Sequence, residues 1–294
     1  SYNFGTSFEN DNLEGNFNFN SYGSNTLKET NKIQSTITND FKYISSSFFF
    51  NNGIKRIYGI YAKNLNSIGK KDNKYKSSPQ SELTSGYMLD ISLPLFKKNK
   101  RTISKLEPKL NLRFSPHDMK NHKDTGSRVD AGNVYNFNRL GLSDSIETGT
   151  SLTFGIDYKR EEMIKNNEDK DILDFFEMKL ATVIRVEDEK DIPTASTINK
   201  KNSDILGSIN YSSSELLTLN YNFSLDDNLD TFNYNSVDAE FTYNKFSTIV
   251  RFLEENGPIG KAHIMENTFK YNFDESNSFE FNTRRNKEIN LTEY

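Results

Sequence analysis

The 294-residue chain has no cysteine and no tryptophan, which removes any disulfide framework and any thiolate metal site. Apolar residues are scarce as well. They make up 34% of the chain, with a mean hydropathy of -0.75, against roughly 45 to 50% in an ordinary globular domain when glycine is counted. A large water-soluble core is therefore under-supplied. No run approaches the roughly 18 consecutive apolar residues of a helical membrane span. Neither sign of charge dominates: Lys+Arg number 37 and Asp+Glu 41, for a formal charge of -4, so no nucleic-acid partner is expected. The opening SYNFGTSFEN lacks a methionine, a basic segment and an apolar segment, so no secretory signal is visible. The chain is expected to be an internal piece of something longer.

What the chain does have is alternation. In the stretch from Ile103 to Tyr158, Pro108, Leu110, Leu112 and Phe114 share one face of a period-two strand, and Glu107, Lys109, Asn111 and Arg113 share the other. Leu152, Phe154, Ile156 and Tyr158 alternate in the same way with Ser151, Thr153, Gly155 and Asp157. About nine residues of such alternation suit a tilted strand crossing a bilayer. A barrel wall needs only every second side chain to be apolar, so low overall hydrophobicity is compatible with membrane insertion. The 13% aromatic content, all Phe and Tyr, suits interfacial girdles.

Alternation and turn residues together predict about fourteen antiparallel strands. Residues 23–39 read as a polar connection with room for one short strand. Connections alternate between short and long almost throughout, the rhythm of an up-and-down transmembrane barrel. The charged segment 161–171 fits worst, being long for a tight turn. The fold expected is all-β: an antiparallel up-and-down transmembrane barrel segment belonging to a larger barrel, as one partial barrel domain over 1–294. A soluble β-rich adhesin or binding module is the alternative, and it requires the Leu/Phe faces to pack against a second sheet.

The face opposite the apolar one carries charge of both signs: Asp90, Glu107, Lys109, Arg113, Asp157, Glu177, Lys179, Arg185, Asp238, Glu240, Arg251, Lys270 and Glu280. In a barrel these line an aqueous lumen; in a soluble sheet they face solvent. Asn138, Arg139, Gly141 and Asp144 are expected to form a fixed turn folding the long connection back to the wall, with Arg139 close enough to Asp144 to pair. A solvated turn is the plainer reading, and exposed charges would then contribute under about 1 kcal/mol. Pro193 marks a loop bend, Pro108 a strand edge or bulge, and Asp204 precedes a returning strand. His117, Asp118, His122 and Asp124 lie close in sequence but form no helical HxxxH pair or closed ligand set. No nucleophile elbow or phosphate-cradling loop is present. Neither a metal, a cofactor nor an enzymatic activity is expected.

The run LEP (Leu106 to Pro108), a loop, and then the pattern NRxGxSDxIExGxxLxFGxxY beginning at Asn138 resemble the barrel domain of the lipopolysaccharide-assembly outer-membrane family, LptD. SLPLF at Ser92 to Phe96 and IPTASTINKKNSDILGSINY at Ile192 to Tyr211 agree with it in the same order. The resemblance implies a bacterial outer-membrane translocon that inserts lipopolysaccharide into the outer leaflet, without enzymatic activity. It also implies a lumen-plugging lipoprotein, periplasmic bridge proteins and outer-membrane lipid as partners, and a structural role for the NR/G/D element. The family's periplasmic jellyroll, C-terminal cysteine pair and seam strands are not recognised in this stretch. A passive porin or solute receptor is the alternative that shares the wall pattern.

Overall fold

The computed structural model describes residues 2–10, 14–28, 31–165, 170–213, 216–257, 260–274 and 276–293. Among them seventeen strands follow one another. They are β1 (Tyr2–Asn10), β2 (Gly15–Lys28), β3 (Lys32–Ser45), β4 (Phe48–Phe49), β5 (Lys55–Lys70), β6 (Gln80–Ser92), β7 (Leu95–Lys98), β8 (Thr102–Ser115) and β9 (Gly149–Lys165). Then come β10 (Lys170–Arg185), β11 (Ile205–Ser213), β12 (Leu217–Leu225), β13 (Phe232–Tyr243), β14 (Phe246–Glu255), β15 (Ala262–Asn272), β16 (Ser278–Asn286) and β17 (Leu291–Glu293). One 3-10 turn, Thr194–Ser196, is the only helical element among the described residues.

Each strand pairs antiparallel with its sequence neighbour, with two interruptions. β4 continues β3 along β5 after a bulge at Ser46 and Ser47, since Ile44 faces Gly59 whereas Phe48 faces Arg56. β7 continues β6 along β8 without a register change. The interruption lies at Leu93 and Pro94, opposite Pro108, whose missing N–H removes a ladder bond while its carbonyl still accepts from Leu93 at 3.1 Å. Pro108 thus sits inside β8, away from a strand edge and away from a bulge. Among the described residues nothing joins β17 to β1, so the sheet is one continuous open wall, an up-and-down segment of a barrel.

Which way the side chains point decides what kind of wall this is. On β8 Glu107, Asn111, Arg113 and Ser115 are buried, while Pro108, Leu112 and Phe114 are exposed. β5 and β10 repeat the inversion: Lys63 is 1% exposed and Arg185 4%, against 41% for Ile60 and 44% for Ile184. On β12 none of Leu217, Leu219, Tyr221, Phe223 and Leu225 is buried, and Ser224 is. Among the described residues there is no second sheet for the apolar faces to pack against. The soluble-module alternative fails on this point.

The long connections all lie at one rim, which they share with shorter ones at 226–231 and 287–290. Residues 50–54, 99–101, 166–169, 214–216 and 244–245 join strands at one end, and 71–79, 116–148 and 186–204 at the other. Two expectations are corrected in the direction of greater regularity. Residues 23–28 and 32–39 belong to the long strands β2 and β3, paired from Gly15 with Ser45 to Lys28 with Lys32; 29 and 30 lie outside the described residues. The charged 161–171 segment is mostly strand, with β9 running to Lys165 and β10 starting at Lys170; part of it, 166–169, lies outside the described residues. Charge in the sequence reads as loop, but polar residues at a barrel rim extend a strand into water at little cost.

Candidate functional site

Cross-strand register places all thirteen charged candidates on one face, opposite the apolar one. A single row crosses most of the sheet: Lys105 faces Lys159, then Glu177, Asn210, Asn220, Asp238, Arg251, Glu266, Arg284 and Glu293. Over β13 to β17 the signs alternate, with ion pairs Asp238–Arg251 at 3.4 Å and Glu266–Arg284 at 3.0 Å. Glu240, Lys270 and Glu280 share this face. Glu107 accepts from Ser92 and Lys105, Lys109 binds Asp157 at 2.5 Å, and Lys179 binds Glu177 at 3.0 Å.

From β2, where Tyr22 meets the Ser143 carbonyl, to β13 and β14, where Arg128 lies over Tyr234 and pairs with Glu255, this polar face is covered from within by the long connections. Met119, Val129, Val134, Leu140 and Leu142 from 116–148, with Ile192 and Ile198 from 186–204, pack onto Ala181, Val183 and Leu206 of the wall. The principal buried apolar cluster is therefore made inside the wall, by loops. Two aromatic rings set the docking position. Tyr135 lies over Gly155, where an added Cβ would fall 1.9 Å from its hydroxyl oxygen and 2.7 Å from the Leu180 carbonyl. Phe137 fits above Gly59 and Gly86 and packs against Tyr61 with ring centres 5.0 Å apart.

Charge fixes the rest. Asn138 closes the expected turn by donating to the Leu142 carbonyl and accepting its N–H, with Gly141 at φ 65° supplying the left-handed bend. Arg139 does not pair with Asp144. Its fully buried guanidinium binds Glu147 through Nε at 2.7 Å and Nη2 at 2.5 Å, and donates to Ser151 and Thr153 of β9. Arg185 reaches the same carboxylate at 2.6 Å and also donates to the Thr148 carbonyl. Arg113 holds the neighbouring turn through the Asn136 and Phe137 carbonyls at 2.5 and 2.8 Å.

Asp144 makes a second knot. It accepts from Tyr75 at 2.6 Å and contacts Lys74 at 2.6 Å and His122 Nε2 at 2.8 Å, tying 71–79 to 116–148. Beside it Lys63, paired with Asp40 at 2.6 Å, and Tyr22 both donate to the Ser143 carbonyl. His117 sits against the Ser85 hydroxyl instead. Asp204 accepts from Ser224 at 2.6 Å and Asn233 at 2.8 Å, and buried Pro193 leads into the 3-10 turn and accepts from Ser196.

Burial alone would raise the Glu147 carboxyl, but Arg139 and Arg185 outweigh it and bring it down to about 2. Asp144 is also buried, yet the donors His122, Lys74 and Tyr75 hold it well below the ordinary carboxylate range. Groups depressed in the folded state stabilise it above their unfolded values, and that stability is lost as pH falls through the folded values. Protection of 116–148 from protease is expected to stay flat from about pH 8 to about pH 5 and to decline below about pH 4. Proteolysis by an acid-active protease, followed by mass spectrometry, reads this directly; a loss between about pH 7 and pH 6 would contradict it.

Sequence reasoning did not single out Glu147, Ser151, Thr153, Lys63, Tyr75, Tyr135 or Phe137. Period-two parity carried on to Ser151 and Thr153 puts them on the Arg113 side. Glu147 stands inside the same IExG run as the NR/G/D element.

A family model described as LPS transport system D, LptD, matches residues 2–257. No curated protein is similar enough to count as a match. An inside-out antiparallel wall, long connections confined to one rim and a match over most of the chain agree: the chain belongs to the LptD family, outer-membrane β-barrel proteins of lipopolysaccharide transport.

Proposed function

We propose that the chain forms part of the wall of a translocon that places lipopolysaccharide in the outer leaflet of the outer membrane. The observation that carries this reading is the continuous polar row on the face opposite the exposed apolar band. Sugars and phosphates move along a wet, charge-balanced face, while acyl chains need an apolar route to lipid. Glu107, Lys109, Arg113, Asp157, Glu177, Lys179, Arg185, Asp238, Glu240 and Arg251 line the lumen on this view. The exposed mixed-sign face around Glu240, Arg251, Glu266 and Arg284 is where substrate touches the wall, clear of Tyr234 and Glu255, which Arg128 of 116–148 already occupies. Pro108, Asn138, Arg139, Gly141, Asp144, Pro193 and Asp204 are structural, Pro108 within the wall and the others where the inner segments sit. A lumen-plugging lipoprotein and periplasmic bridge proteins are the partners, and no catalytic step belongs to the chain.

Photocrosslinkers at Glu240 and Arg251 in growing cells are expected to give lipopolysaccharide adducts, and one at the lipid-facing Phe252 far fewer. Adducts of equal yield at all three positions would remove the lumenal route. Steady solute-selective conductance in planar bilayers, with no adducts, would favour a passive pore. The docking of 116–148 and 186–204 on the inner face speaks against such a pore.

A further inference from the structure

The lipid-facing side of the wall carries charge only towards its ends. Along β5 the outward row reads Arg56, Tyr58, Ile60, Ala62, Asn64, Asn66, Ile68 and Lys70, with cations at the first and last positions alone. Arg56 stands at the rim of short connections, directly after 50–54, and is exposed. Its guanidinium carbon lies 5.4 Å from the centre of the Phe48 ring and 5.0 Å from that of Phe50. Phe48 in turn stacks on Tyr58, with ring centres 5.9 Å apart and planes 8° apart, and the aromatic row continues through Tyr43 to Phe17. Among the described residues no carboxylate pairs with Arg56. The other outward cations of this rim differ. Lys97 is on the separate strand β7, and Arg160 shares its face with Glu162 and Asp174.

We propose that Arg56, Phe48 and Phe50 form a fixed binding site for the phosphate of an anionic phospholipid in the inner leaflet. Two rings hold the guanidinium, so its N–H fork stays directed at one depth instead of sweeping through the interface. That fork matches a phosphate diester in two-point geometry. Tyrosine and phenylalanine rings at a barrel rim settle at headgroup level, which places the cation beside lipid phosphates. Short connections face the periplasm, so the adjoining leaflet is the phospholipid one; Lys70 marks the opposite rim. An unpaired cation in that position favours a lipid with net negative charge over a zwitterionic one.

The test uses the intact protein, extracted in mild detergent and exchanged with phosphatidylglycerol, with retained lipids counted by native mass spectrometry. Wild type is expected to keep one phosphatidylglycerol that Arg56→Gln binds about tenfold more weakly, while Lys70→Gln keeps it. Arg56→Lys, which preserves charge without the fork, and Phe50→Leu, which preserves the arginine without its second ring, each give a partial loss. Cold gel mobility confirms that each variant is folded. Retention in Arg56→Gln equal to wild type, or displacement by inorganic phosphate at equal concentration, overturns the site. Equal retention of phosphatidylcholine overturns the selectivity, and preferential retention of lipid A overturns the assignment to the inner leaflet.

Discussion

Glu147→Ala is expected to release the 116–148 segment from the wall and to cost about 3 to 5 kcal/mol of unfolding free energy, the usual penalty for breaking a buried ion pair from one side. Among the described residues the carboxylate is the only acid paired with Arg139 and Arg185, which approach it at 2.5 and 2.6 Å, and Arg139 is fully buried. Without it two guanidinium groups face one another inside the wall, and neither the Ser151 nor the Thr153 hydroxyl can neutralise them. Tyr135 and Phe137 would then lose the backbone that holds them over Gly155, Gly59 and Gly86. Urea titration of the refolded intact protein, with proteolysis of 116–148 alongside, measures the effect. Glu240→Ala, on the same face but exposed, should change stability by no more than about 0.5 kcal/mol. A Glu147→Ala variant within about 1 kcal/mol of wild type, with 116–148 still protected, would mean that the apolar contacts of the segment suffice to hold it.

The wall was largely legible in the sequence because a strand displays its environment in every second residue. Leu110 with Leu112 and Lys109 with Arg113 declare opposite faces without reference to any other part of the chain, and the register confirms each assignment. Where legibility failed, the local signal was ambiguous. Ser24, Asn25 and Thr36 carry no apolar alternation, so the 23–28 and 32–39 parts of β2 and β3 read as connection in the sequence, and only the pairing of the two backbones makes them strand. Glu161 and Glu162 looked like a turn because charge near a rim reads the same whether strand or loop holds it. Within the inner segments the turn at Asn138 and Gly141 was readable, since amide and glycine encode their own geometry. The partner of Arg139 was not, because Glu147 and Asp144 are both within chain reach and only packing against β9 selects between them. The knot of Asp144 with Lys74, Tyr75 and His122 joins two connections about fifty to seventy positions apart in sequence, beyond what local spacing encodes.

The central claim is that the exposed apolar face meets hydrocarbon, and Phe154→Arg tests it most directly. Phe154 lies inside the apolar stretch Leu152 to Tyr158 of the outward row of β9, between Leu110 on one neighbour and Thr182 on the other, and is 42% exposed. An arginine there needs no repacking, so its cost reports the surrounding medium. Unfolding free energies measured in phospholipid vesicles should fall by about 2 to 4 kcal/mol for Phe154→Arg. Leu95→Arg, at the short-connection rim of the same face, should cost no more than about 1 kcal/mol. Equal and negligible costs at both positions, within about 0.5 kcal/mol of wild type as for any solvated surface, would contradict the account.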